Sequence, residues 1–101
     1  MKPPGPSALR VLAAVDRDSA YGFDIMDQTG LKSGTVYRAL SRLESLGLVQ
    51  SRWEEPRRAL ADKRPRRRYY ELTPAGHACL AEAHRDWLGF ARGLAPEPPG
   101  A

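Results

Sequence analysis

The chain has 101 residues, with 16 lysines and arginines against 12 aspartates and glutamates, for a formal net charge of +4. A chain of this size is expected to bury one small core and no deep substrate cavity, and its basic balance points to a polyanionic partner. Its single cysteine, Cys79, excludes an internal disulfide and a thiolate metal cage, and the apolar run behind Lys2 is interrupted by Arg10 and ended by Asp16, too soon for a signal peptide or membrane span, so a cytoplasmic protein is expected.

Residues 1–6, "MKPPGP", read as a disordered proline-rich lead. Ser7 offers an N-cap, and Leu9, Leu12, Ala13 and Val15 follow at helical spacing up to Arg17. After the polar loop "DRDSA", Tyr21-Gly22 enters a short second helix carrying Phe23, Ile25 and Met26, and Gly30 is placed to end it, with Leu31 as a buried anchor in the turn. The third helix has the clearest period. Ser33 is its expected cap, Val36, Ala39, Leu40, Leu43 and Leu46 its apolar face, and Gly47 its stop, while the opposite face carries Thr35, Arg38, Ser41, Arg42 and Ser45.

From Leu48, "LVQSRWEE" suits a strand, and "RRYYELT" suits another. The arginine-rich segment between them is expected to form a hairpin whose tip projects into solvent. Thr73 then caps and Pro74 opens a last helix, in which Leu80, Ala83, Trp87, Phe90 and Leu94 make a seam at alternating three- and four-residue steps. The expected fold class is α+β and mostly helical: a winged helix-turn-helix domain over 7–73, a long C-terminal dimerisation helix over 74–95, and a flexible tail over 96–101. The wing is an antiparallel sheet of two strands, or three if "SAY" adds one.

Seven basic side chains, Arg57, Arg58, Lys63, Arg64, Arg66, Arg67 and Arg68, crowd the segment between the strands beside a single acid, Asp62. Like charges repel, so the expected counter-charge is the phosphate backbone of double-stranded DNA. In a helix-turn-helix the second helix lies in the major groove. There Arg38 and Arg42 would reach guanine or phosphate, and Ser33, Thr35 and Tyr37 would bond phosphate oxygens near the helix start, with Ser41 on the same basic face. The wing arginines and Lys63 would meet flanking backbone. A solvated, disordered loop is the plainer reading of the basic run.

The last helix presents more apolar surface than one small domain covers. A twofold dimer answers this and sets two recognition helices about 34 Å apart, matching a pseudo-palindromic operator. Trp87 and Phe90 are also candidates to line an aromatic effector pocket, with core packing as the simpler explanation. No metal or other cofactor is expected: His77 and His84 are seven residues apart, about 10 Å along a helix. Nucleophile elbow, phosphate-binding glycine loop and acid–base pair are all missing, which argues against an enzyme.

The stretches "AYGFDIMDQTG", "SGTVYRALSRLESLGLVQSRWE" and "RRYYELTPAGHACL", in this order, resemble the PadR-like transcriptional regulators. The resemblance implies a dimeric winged-helix regulator, more in keeping with a repressor, in the cytoplasm on nucleoid DNA. It places Tyr21, Ser33, Gly34, Thr35, Tyr37 and Arg38 at or near the DNA, the Arg66–Arg68 side of the wing on backbone, and the dimer contact on the last helix aided by Leu9 and Leu12 of the first. The turn "QTGLKSG" is shorter than in many relatives, and a single C-terminal helix leaves no separate sensing domain. The alternative is a winged-helix interaction or architectural DNA-binding module without operator specificity.

Overall fold

A computed structural model describes residues 4–17 and 21–94. Chain order is α1 (Pro6–Asp16), α2 (Gly22–Thr29), α3 (Ser33–Ser45), β1 (Val49–Trp53), α4 (Pro56–Ala61), β2 (Arg68–Leu72) and α5 (Pro74–Leu94). This is the winged helix-turn-helix order, mostly helical with a two-stranded antiparallel sheet. The strands pair from Val49 opposite Leu72 to Trp53 opposite Arg68. Tyr21 adds one isolated bridge to Tyr69, so the third strand expected from "SAY" is represented by its last residue alone, Ser19 and Ala20 lying outside the described residues. The first three residues of the lead and the tail over 96–101 lie outside them too.

The core forms where α1, α2 and α3 turn their apolar faces together over the sheet. Val11, Leu12, Ile25, Val36, Leu40, Leu43 and Val49 are its fully buried side chains. Leu9, Met26, Leu31, Leu46, Leu72, Cys79 and Leu80 close its edges. Removing a large aliphatic chain here costs about 2–5 kcal/mol, which is why the three- and four-residue steps of α3 decide its orientation.

Two expected caps move. α1 starts at Pro6, with Gly5 at the cap position and no side-chain cap bond, because proline lacks the amide hydrogen that the first helical turn leaves unused. Ser7 is therefore inside the helix, and the lead ends before residue 6. α3 is capped by the backbone of Lys32, and Ser33 is already helical. The helix stops stand where expected. Gly30 ends α2 in the left-handed region at φ 71°, and Gly47 follows α3 at φ 74°.

The hairpin tip is exposed as expected, but it is not a plain loop. Pro56, Ala59, Leu60 and Ala61 supply a proline start and good helix formers, and the segment folds as the six-residue α4, anchored by buried Ala59. Lys63 turns the chain back at φ 53°.

Thr73 joins sheet to α5. Its hydroxyl accepts the Gly76 N–H at 3.0 Å and donates to the Gly47 carbonyl at 2.6 Å, and its own N–H bonds the Leu48 carbonyl at 3.1 Å. Gly76 is buried directly under that Leu48 carbonyl, where a β-carbon would overlap the oxygen and crowd Leu72. Gly76→Ala should therefore destabilise by about 1–3 kcal/mol or more. Gly34→Ala, at an open position in the first turn of α3, should instead raise the urea-unfolding midpoint slightly.

Candidate nucleic-acid interface

The turn between α2 and α3 is held by Thr29, whose hydroxyl donates to the Ile25 carbonyl at 2.7 Å and accepts the Leu31 N–H at 3.2 Å. The two helices also meet at their starts. A β-carbon on Gly22 would lie 2.8 Å from Cζ of Tyr37, so the tyrosine ring seats directly on the first turn of α2. That contact leaves Tyr37 half exposed. Ser33, Gly34, Arg38, Ser41 and Arg42 form the exposed face of α3, with Thr35 half-buried beside them. Arg38 and Arg42 have no ion pair or side-chain hydrogen bond among the described residues. Each presents an unneutralised guanidinium to solvent.

The sheet is tied to α3 through Glu44. Ser51 donates a short hydrogen bond to Glu44, and Arg68 donates to Glu44 at 3.2 Å and to the Ser51 hydroxyl at 3.0 and 2.8 Å. Beyond this network the wing is organised by Glu54, whose carboxylate is buried. Arg64 grips it with both guanidinium ends, at 2.6 and 2.8 Å, and also reaches Asp62 at 3.1 Å. Tyr69 donates its hydroxyl to Glu54 at 3.2 Å, the Arg67 N–H approaches at 3.4 Å, and Arg66 Nε donates to the Glu54 carbonyl at 2.8 Å.

This corrects the expectation that the wing cations lack protein partners. Arg64 is neutralised inside the wing, with its side chain only 20% exposed, and Arg68 shares Glu44. The physical reason is that a buried carboxylate is costly without a cation, and Glu54 takes the one that reaches it. Arg57, Arg58 and Lys63 stay exposed, without ion pairs among the described residues. Arg66 and Arg67 carry no carboxylate partner and rest on rings: Arg67 stands 4.3 Å from the Tyr21 centroid, and Arg66 and Arg68 each stand 5.8 Å from that of Trp53. Trp53 is thus half exposed under cations.

An open groove of about 620 Å³ runs between the start of α2, the outer face of α3 and the returning strand. Tyr21, Phe23, Tyr37 and Trp53 line it together with Arg66 and Arg68. Burial, reinforced by Asp24, raises the Tyr21 phenol pKa, so it remains a neutral donor. Apolar rings beside guanidiniums, of which those of Arg66 and Arg67 have no carboxylate partner, suit a sugar–phosphate strand. Phe23, Glu44, Ser51 and Glu54 were not among the expected site residues; Glu54 follows the end of β1 in step with exposed Gln50 and Arg52, so strand alternation gave no signal of its burial.

The seam of α5 divides in two. Leu80 and Ala83 are half-buried against the domain, whereas every residue from His84 to Leu94 is exposed, Trp87, Phe90 and Leu94 at 64%, 59% and 70%. The Trp87 and Phe90 rings stand 5.9 Å apart. Leu9 is half-buried at the core edge, and Leu12 is fully buried, which corrects its expected place on a partner-facing surface. Leu12 belongs to the core of the single chain. Among the described residues no group of three His, Cys, Asp or Glu is placed to hold a metal ion, and no helix is long and apolar enough to cross a membrane.

Arg64's hydrogen bonds, working against burial, hold the Glu54 carboxyl at about 2, below its ordinary 4.5. Since the folded value lies below the unfolded one, this stabilisation is complete above the ordinary value and is lost as pH falls through the folded one. Thermal melts taken from neutral to strongly acid buffer should show that loss in the wild type. In Glu54→Gln that part of the pH dependence should disappear, leaving a lower and flatter curve.

Residues 11–82 match the model of the transcriptional regulator PadR-like family, and the chain belongs to that family. Similar solved structures include a PadR family transcription regulator from Clostridium difficile R20291 (27% identity, TM-score 0.78, covering 89% of this chain and 95% of that one). A PadR-like transcription factor from Bacteroides fragilis is 25% identical with a TM-score of 0.73, covering 86% and 84%. Bordetella bronchiseptica BpsR, whose DNA binding is regulated by 6-hydroxynicotinic acid, shares the fold at 22% identity and a TM-score of 0.72, covering 95% and 69%. Among curated proteins there is no significant match.

Proposed function

We propose that this PadR-like, DNA-binding transcription regulator, which is not an enzyme, acts as a homodimeric repressor on a pseudo-palindromic operator. α3 of each protomer enters the major groove. Arg38 and Arg42 read base edges, and Ser33, Gly34, Thr35, Tyr37 and Ser41 face the neighbouring backbone. Tyr21, Lys63, Arg66 and Arg67 of the wing side meet flanking phosphates, with Arg68 at the groove wall. Arg64 is withdrawn from this set, because its charge is spent on Glu54.

The observation that carries the reading is the pair Arg38 and Arg42, exposed one turn apart on α3 with no counter-charge among the described residues. The exposed end of α5 supports the dimer: Trp87, Phe90 and Leu94 form an apolar face that a second copy of the chain would cover. It also supports an effector. The tilted Trp87–Phe90 pair offers ring surface to a planar aromatic ligand, and the regulation of the Bordetella protein by an aromatic acid is in keeping with this. Such a regulator works in the cytoplasm, on the nucleoid.

Arg38→Ala and Arg42→Ala should each relax preference at particular base pairs by about 1–3 kcal/mol, measured by competition against single-base variants of a selected operator. Arg66→Ala and Arg67→Ala should instead weaken all duplexes alike and each reduce the salt slope by about 1. Equal binding to operator and random duplex by the wild type would leave an architectural binder. Trp87→Asp and Leu94→Asp should yield monomers by sedimentation, with weaker operator binding.

A further inference from the structure

Glu54 is the only charged side chain that is buried among the described residues, at 3% exposure. It also sits in a segment that the reading above turns toward phosphate, where a carboxylate is electrostatically unfavourable. A negative charge there needs a physical reason, and its contacts supply one. All of them go to the returning arm of the wing. The side chain takes Arg64 at 2.6 and 2.8 Å, the Arg67 N–H at 3.4 Å and the Tyr69 hydroxyl at 3.2 Å. The Glu54 carbonyl takes Arg66 Nε at 2.8 Å, and its N–H bonds the Arg67 carbonyl at 2.8 Å.

These bonds fix the course of the chain from Arg64 to Arg67. That course decides where the Arg66 and Arg67 guanidiniums stand, over the Trp53 and Tyr21 rings on the wall of the groove. We propose that Glu54 is a positioning residue for DNA binding: it withdraws one arginine, Arg64, into the wing so that Arg66 and Arg67 are presented in a fixed geometry to the phosphate backbone. Glu54 itself touches no nucleotide. The proposal rests on the wing reading above and adds to it that the wing's affinity depends on an internal carboxylate.

Preorganisation explains why this helps. Long arginine chains lose rotamer freedom when they bind, and a strand held in place beforehand leaves less to lose. An arm released from Glu54 would keep every cation and still bind less well.

The test exploits a conflict of sign. Glu54→Gln raises the formal net charge of the full chain from +4 to +5, so simple electrostatics predicts tighter binding to a polyanion. Positioning predicts weaker binding. Fluorescence anisotropy with a random-sequence duplex across a salt series should show affinity falling roughly five- to twentyfold and the slope becoming shallower by about 1 to 2. Arg64→Lys keeps the net charge and loses the two-pronged grip, so it should fall in the same direction. It keeps the proposal testable if Glu54→Gln does not fold, and circular dichroism at the binding temperature confirms that each variant is folded. A purely structural role would lower the melting temperature and leave the salt slope of the folded protein alone. Folded variants that bind as tightly as wild type, or more tightly, with an unchanged slope overturn the proposal. Arg66→Ala on the same duplex separates the two readings: if it too leaves binding unchanged, the wing contact itself is wrong, whereas if it weakens binding and the Glu54 and Arg64 variants do not, only the positioning role is.

Discussion

A carboxylate removed from water must find a cation, and in this fold that requirement sets how the basic wing is arranged. Glu54 faces inward from the end of β1, and Arg64 closes on it from the returning arm. With one guanidinium committed inside, the chain on either side of it is held. Asp62 adds to the same pair, and Tyr69 connects it to β2. Of the remaining cations, Arg66 and Arg67 are supported by rings and not carboxylates, Arg68 is shared with Glu44, and Arg57, Arg58 and Lys63 stay exposed. The wing therefore sorts its charges, with Arg64 neutralised inward and the cations that lack a carboxylate left outward.

The helical part obeys a different constraint. Close approach of α2 and α3 at Gly22 and Tyr37 brings the start of α3 against the start of α2, while the aliphatic side of α3 is fully buried. With one face spent on the core, the other has only polar and basic residues to show. Glu44 is the link between helix and wing, because Arg68 and Ser51 both bond to it. On the function proposed, base-reading and phosphate-holding surfaces are kept in register by that link, and the far half of α5 is left to bring two copies together.

Much of this was legible in the sequence, and the exceptions have physical causes. Helical periodicity identified α3 and its buried residues because burial of Val36, Leu40 and Leu43 leaves a direct imprint on spacing. Gly30, Gly47 and the Thr73-Pro74 pair marked helix ends because few residues satisfy those backbone positions. Ser7 and Ser33 misled. A serine is a good cap, but the cap of α1 falls two residues earlier, at Gly5, and that of α3 one residue earlier, at Lys32. α4 was hidden under its arginines, since charge density reads as loop although Pro56 and three following good helix formers favour a turn of helix. Glu54 with Arg64 was missed for a deeper reason: the partners are ten residues apart across a bend that sequence alone does not define. Leu12 was assigned outward from family resemblance, although its own spacing in α1 already pointed to the core.

The central claim is that the cations left unpaired on α3 and on the wing are matched by nucleic-acid phosphates, and the salt dependence of duplex binding by the wild-type protein measures this most directly. Neutralising four phosphates corresponds to a log–log slope of about −3.6, and contacts from both protomers of the proposed dimer would make it steeper. The expected result is tight binding in dilute buffer that falls along such a slope. A well-folded protein that leaves duplex DNA unbound at low ionic strength, or binds it with a slope near zero, would contradict the claim.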